Sequence, residues 1–135
     1  MTQKIALVTG ASSGIGKATA KLLAKNGYYV FAAARRMYRL EQIRSEQIEP
    51  VALDVTDEEA VKATVNHIIS TKGRIDVLVN NAAFCQLGAI ECVSMEAAHR
   101  QFEAGGLRLH AELFEDELLY MNMPGPVPDF CAYKA

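Results

Sequence analysis

Three glycines in Thr9-Gly10-Ala11-Ser12-Ser13-Gly14-Ile15-Gly16 have the type and spacing to cradle a phosphate. Bringing a phosphate against main chain requires backbone free of a Cβ and amide N–H groups aimed at the anion. Gly10 permits a tight turn, Gly14 lets the backbone approach a pyrophosphate, and Gly16 lets a helix start pack close to the preceding strand. A Walker loop is excluded. It needs four residues before its Gly-Lys-Ser/Thr, whereas five separate Gly10 from Gly16-Lys17, and Ala18 stands where the magnesium-binding hydroxyl would be.

The elements around this loop fit a strand-turn-helix unit. Ile5-Ala6-Leu7-Val8 is a short apolar run, and Ile15, Ala18, Leu22 and Leu23 follow at helical spacing. Gly27 is a natural helix stop. Tyr29 to Ala34 reads as a second strand without strict alternation, as expected for a parallel strand covered on both faces. Pro50-Val51-Ala52-Leu53 and Val77-Leu78-Val79 supply two more. Between them, Met37 to about Glu46 predicts a short helix with Arg39, Glu41 and Arg44 outward. Thr56 with Glu59 predicts a capping box for a helix whose apolar face is Val61, Thr64, Val65, Ile68 and Ile69, ended by Gly73. Ser94 is expected to cap a further helix from Met95.

The spacing Thr-Gly-x-x-x-Gly-x-Gly resembles the cofactor loop of the short-chain dehydrogenases/reductases, nicotinamide-dependent Rossmann enzymes. The resemblance is nearly continuous to Glu103. It implies an α/β fold: an incomplete Rossmann-like parallel sheet of about four strands, at Lys4–Thr9, Tyr29–Ala34, Glu49–Leu53 and Asp76–Asn80, with flanking helices. Residues 1–105 would form the NAD(P)-binding domain, and 106–135 a divergent or truncated C-terminal segment.

The same resemblance assigns the cofactor to Gly10, Ser12, Ser13, Gly14, Ile15 and Gly16. Arg35-Arg36 ends the second strand where an NAD-binding unit usually places an acidic residue for the ribose 2′-hydroxyl; two cations suit a 2′-phosphate, which favours NADP. The alternative is a pair of solvated charges opening the next helix. Asp54-Val55 resembles the family pair whose carboxylate meets the adenine amino group and whose next residue lies against the ring. Asn80-Asn81-Ala82-Ala83 resembles Asn-Asn-Ala-Gly, so Asn81, Ala82 and Ala83 would border the ribose and support the sheet. Cys85, next to Gln86, reads as a passive side chain near the crevice.

Beyond Glu103 the resemblance breaks. Ala104-Gly105-Gly106 stands where the family carries an active-site Asn, and two glycines cost about 1 kcal/mol each against Ala inside a helix. Leu107 to Leu119 could restart a helix, but Glu112, Glu115, Asp116 and Glu117 crowd it. Pro124, Pro126 and Pro128 then preclude an ordinary helix or central strand. No serine follows Ser94. The final Phe130-Cys131-Ala132-Tyr133-Lys134 resembles the catalytic Tyr-x-x-x-Lys segment with Phe130 at the tyrosine position. By the resemblance, Lys134 would hold the ribose and lower the pKa of the acid, and Tyr133 is the nearest phenol, about 100 degrees away round a helix. Two functions stay open. One is an NADP(H)-dependent oxidoreductase moving hydride between nicotinamide and a carbonyl or alcohol; the other is an incomplete, inactive cofactor-binding protein.

Composition bounds the rest. With 135 residues, half of them apolar, the chain allows one modest core, and a net charge of −2 gives no field for nucleic acid or anionic membrane. A small-molecule partner is expected. Cys85, Cys92 and Cys131 lack paired C-x-x-C spacing, and His67, His99 and His110 are dispersed, so no disulfide frame or metal set is expected. Free thiols, a start that enters a strand without a basic-then-apolar leader, and no spanning apolar run predict a cytoplasmic protein. An unpaired fourth-strand edge would invite pairing, leaving a homo-oligomer open.

Overall fold

The computed structural model describes residues 2–83, 94–104 and 119–120. β1 (Ile5–Thr9), β2 (Tyr29–Ala34), β3 (Ile48–Ala52), β4 (Val77–Val79) and β5 (Leu119–Tyr120) form one sheet in the order β3-β2-β1-β4-β5. The four pairings between these strands are parallel. The four expected strands are therefore present within a residue or so of their expected bounds.

Alternation along β1 sends successive residues to two separate cores. Ile5 and Leu7 join Phe31, Ala33 and Leu78 beneath Val61 and Ile68 of α3 (Glu58–Lys72). Ala6 and Val8 join Val30, Ala32 and Val79 beneath Ala20, Leu23 and Ala24 of α1 (Gly14–Lys25). Both faces are dry, so β1 and β2 need no polar alternation. Pro50 lies in β3, an edge strand, where a missing ladder donor is tolerated.

Several expectations are corrected. The buried stripe of α1 is Gly16, Thr19, Ala20, Leu23 and Ala24, while Ile15 and Leu22 are 55% and 61% exposed. Small side chains let this helix sit close to the sheet, and that turns Ile15, Ala18 and Leu22 outward. α2 stops at Leu40 (Met37–Leu40) and tightens into a 3-10 turn over Glu41–Ile43, fastened by the Arg44–Glu41 ion pair at 2.6 Å. The cap of α3 is Asp57, whose Oδ1 accepts the Ala60 N–H at 3.1 Å; the Thr56 hydroxyl is turned to Asp54, so the Thr56–Glu59 box does not form.

Gly73 closes α3 in the left-handed region at φ 78°. The Ser94 hydroxyl caps α4 (Met95–Ala104) as expected, accepting the Ala97 N–H at 3.2 Å. The expected bare edge of β4 is corrected too: Val77 and Leu78 pair with Leu119 and Tyr120, and Leu119 lies in a strand instead of a helix. Residues 107–118 lie outside the described residues.

Candidate functional site

β1, β2 and β4 end on one side of the sheet, and their following loops enclose a cleft of about 730 Å³. That is within the roughly 300–1,000 Å³ of small-molecule sites. Its floor is Gly10, Ser12 and Ser13 after β1, one wall is Ala34, Arg35 and Arg36 after β2, and the others are Leu53 to Thr56 after β3 and Asn81 to Ala83 after β4. The crevice outside the carboxyl ends of parallel strands, where connections diverge from β1 to β2 on one side and β4 on the other, is where open α/β sheets take ligands.

A single hydroxyl organises the floor. Thr9, 1% exposed, accepts the backbone N–H groups of Asn81 and Ala82 through Oγ1, both at 3.0 Å, and donates to the Val79 carbonyl at 3.4 Å. Asn81 reciprocates. Its Nδ2 donates to the Thr9 and Gly10 carbonyls at 3.1 and 3.2 Å. The motif assigns Thr9 no role; its place as the last residue of β1, directly before Gly10, is the signal for one.

The glycines have distinct reasons to lack a side chain. A Cβ on Gly16 would lie 2.4 Å from both Asn81 Nδ2 and the Gly10 carbonyl oxygen, so the start of α1 can approach the loop only as glycine. Gly14 sits at φ 54° and a Cβ there would meet nothing within 4 Å. Gly14 lines a smaller depression that shares Ser12 and Ser13 with the cleft. Ile15 stands outward in the first turn of α1, and Gly16 is buried beneath it.

Charge is arranged unevenly around the rim. The Arg36 guanidinium donates to the Ser12 hydroxyl at 3.2 Å and the Ser13 hydroxyl at 3.5 Å, joining the loop after β2 to the loop after β1. Asp54 Oδ1 accepts the Thr56 backbone N–H at 3.0 Å and its hydroxyl at 2.7 Å. Those two bonds, in that order, hold the Asp54 carboxyl below the usual carboxylate range; partial burial opposes them and the charge of Arg35 adds to them. Asp54 is therefore an anion at neutral pH, ready to accept from an amino group. Val55 is buried against the α3 core and still borders the cleft.

Sequence reasoning missed Arg100, which reaches the cleft from α4. Of the two arginines after β2, Arg36 is the one bonded to the serine hydroxyls, and Arg35 lines the same cleft. Asn80 Oδ1 is buried with no hydrogen-bond partner among the described residues. Lys134, Tyr133, Phe130, Cys85 and Gln86 lie outside the described residues. Among the described residues, no group of three or more His, Cys, Asp or Glu is placed to hold a metal, and no helix is long and apolar enough to cross a membrane.

Comparison with known proteins adds the family. A family model described as short chain dehydrogenase matches residues 4–104. The uncharacterized oxidoreductase YusZ of Bacillus subtilis is 42% identical over 111 residues, covering 76% of this chain and 39% of that protein. The 3-ketoacyl-(acyl-carrier-protein) reductase of Brucella melitensis, solved with NADH, superposes with a TM-score of 0.77 at 30% identity, covering 84% of this chain and 50% of its own. An alcohol dehydrogenase from Thermococcus sibiricus, solved with 5-hydroxy-NADP, gives 0.77 at 33% identity, with 84% and 52% covered. The chain thus spans about half or less of the length of each.

Proposed function

The chain belongs to the short-chain dehydrogenase family, and from that membership we propose that its cleft binds NADP(H) in an oxidoreductase acting between a carbonyl and an alcohol. The nicotinamide, when bound, supplies or accepts the hydride. This chain's residues bind and orient. The main chain from Gly10 to Gly16 holds the pyrophosphate, Ser12, Ser13, Arg35 and Arg36 hold the 2′-phosphate, Asp54 accepts from the adenine amino group, and Val55 lies against the ring. Asn81, Ala82 and Ala83 border the ribose. Lys134 holds the ribose hydroxyls, and Tyr133 is the phenol nearest to the role of proton donor.

The observation that carries the NADP(H) reading is the Arg36 guanidinium resting on the Ser12 and Ser13 hydroxyls. Cations and hydroxyl donors meeting at the end of β2 match a dianionic phosphate. Relatives solved with NADH and with an NADP derivative make the choice one of local residues and not of the fold. The proposed setting is the cytoplasm, with a small-molecule substrate and no nucleic-acid or membrane partner.

A second reading is a cofactor-binding protein without turnover. It is favoured by Phe130 at the tyrosine position, no serine after Ser94, and glycines where an Asn would stand. Calorimetric titration with NADP⁺ and NAD⁺ tests the cofactor assignment. Tighter NADP⁺ binding, reversed by Arg35→Asp, is expected; equal affinities before and after the change would remove Arg35 from the site.

A further inference from the structure

Thr56 lines the cleft beside Asp54 and Val55, and the helix that follows it is capped by its neighbour Asp57. We propose that Thr56 is a positioning residue: by pinning one oxygen of the Asp54 carboxylate it fixes the other for the amino group of adenine, and so sets a preference of the cleft for an amino-purine over an oxo-purine. The inference rests on the reading that Asp54 accepts from adenine, and extends it to a residue whose sequence signature is that of a helix cap.

Two bonds converge on one atom. Asp54 Oδ1 accepts the Thr56 backbone N–H at 3.0 Å and the Thr56 hydroxyl at 2.7 Å, while Oδ2 accepts no hydrogen bond among the described residues. The turn that carries both donors is itself anchored. The Asp54 carbonyl accepts the Asp57 N–H at 3.1 Å, and the Asp57 carboxylate accepts the Ala60 N–H at 3.1 Å, which ties the turn to the start of α3. The carboxylate torsion of an aspartate is broad and nearly two-fold. A second donor on the same oxygen narrows it before any ligand arrives, so less ordering is left to oppose binding.

Base identity is what such a carboxylate reads. Ionised, Asp54 is an acceptor only. Adenine offers it an amino group, whereas hypoxanthine carries a carbonyl oxygen on the same carbon and a ring N–H beside it. A pinned oxygen meets the amino group as a donor and the carbonyl as a second acceptor, which repels it. A carboxylate free to turn could instead swing to the ring N–H of hypoxanthine and accept from that. Thr56 therefore acts through Asp54, by keeping the repulsive contact with the wrong base in place, and selectivity gained against a competitor needs such a contact. Its backbone N–H survives any substitution but proline, so the hydroxyl is the part of the clamp that a side-chain change removes.

The test is calorimetric titration of the full chain with NADP⁺ and NAD⁺, each beside its hypoxanthine analogue, for the unmodified protein, Thr56→Val, Thr56→Ser and Asp54→Asn. The unmodified chain is expected to favour adenine. Thr56→Val should lower that preference about three- to tenfold, the scale of one hydrogen bond, and equally for the two cofactors. Thr56→Ser should restore it. If the unmodified chain favours adenine and Thr56→Val keeps the whole preference, or Thr56→Ser loses it as Thr56→Val does, this inference fails alone. If the unmodified chain does not distinguish the bases, or Asp54→Asn distinguishes them equally well, the reading of Asp54 fails and takes Thr56 with it. Carbon-13 titration of the Asp54 carboxyl serves on the unmodified chain even if a variant does not fold. The carboxyl should titrate below the ordinary aspartate range, chiefly through the two Thr56 bonds and less through the charge of Arg35, and an ordinary value would overturn the pinning.

Discussion

The Thr9 hydroxyl accepts the backbone N–H of Asn81, 72 residues away in sequence, at 3.0 Å, while the Asn81 carboxamide donates back to the Thr9 carbonyl at 3.1 Å. This reciprocal pair joins the ends of β1 and β4 where no ladder bond is left to do so. Thr9→Val keeps the shape and removes the acceptor, stranding the N–H groups of Asn81 and Ala82 in a part-buried site. The loss should be about 1–3 kcal/mol, the desolvation cost of unpaired donors. Urea unfolding measures it, and a loss below about 0.5 kcal/mol would mean that water replaces the hydroxyl.

Gly16 and Gly14 separate packing from conformation. At Gly16 an added methyl would meet Asn81 Nδ2 and the Gly10 carbonyl at 2.4 Å, so Gly16→Ala should cost about 3 kcal/mol, the upper range for overpacking. At Gly14 the methyl meets nothing, and only the left-handed backbone resists it, at about 1 kcal/mol. The Gly14 variant should instead lose cofactor affinity, because its methyl projects into the space proposed for the pyrophosphate. Thermal unfolding with and without NADP⁺ distinguishes the two; equal stability losses would contradict the packing difference.

These two relationships also mark what a sequence can carry. The β1-loop-α1 unit is legible because its determinants are local: an apolar run, glycines at fixed offsets, then helical spacing. The buried face of α1 is not, because Ala20 and Ala24 outcompete Ile15 and Leu22 only once the helix is pressed on the sheet. Thr56 looked like a helix cap until Asp54 claimed its hydroxyl. β5 was illegible for a further reason: Leu119 and Tyr120 carry no strand pattern of their own, and their pairing partners are some forty residues away. Of the motif residues, Gly10, Ser12, Ser13, Asp54 and Asn81 line the cleft. The meeting of Arg36 with the serines, 23 and 24 residues away in sequence, and of Arg100 with the cleft, depends on how separate segments come together, which spacing does not encode.

On the far side of the sheet, Tyr29 gives a pH signature. Its hydroxyl donates to Glu49 Oε2 at 2.7 Å, Lys72 Nζ stands 3.6 Å from its ring centroid, and Phe31 meets it edge-on. Burial, then the bond to Glu49 and its charge, push the phenol up to about 12, with Arg44 opposing. The folded value is raised above the unfolded value of about 10, so this contribution to stability is complete below pH 10 and is lost as pH rises through 12. Tyr29→Phe should flatten the alkaline fall relative to the unmodified chain, and one of the five tyrosines should titrate late by tyrosinate absorbance. Five tyrosines ionising together near pH 10 would refute it.

Carbonyl reduction asks three things of the protein once hydride and carbonyl are aligned: a proton source, a donor to polarise the developing oxyanion, and a cation to keep the acid's pKa low. Lys134 is the residue proposed for the last. Phe130 offers no proton, no serine follows Ser94, and Gly105-Gly106 supplies no amide side chain at the Asn position. Each lost donor typically costs about two to three orders of magnitude in rate. Turnover of the unmodified chain on a panel of simple ketones and aldehydes, followed by NADPH absorbance, should therefore be negligible even where NADP⁺ binds. Phe130→Tyr alone should not restore full activity, because the polarising donor stays absent. Vigorous turnover that Tyr133→Phe abolishes would overturn the inactive reading and make Tyr133 the acid, through a register in which it, and not residue 130, faces the carbonyl beside Lys134.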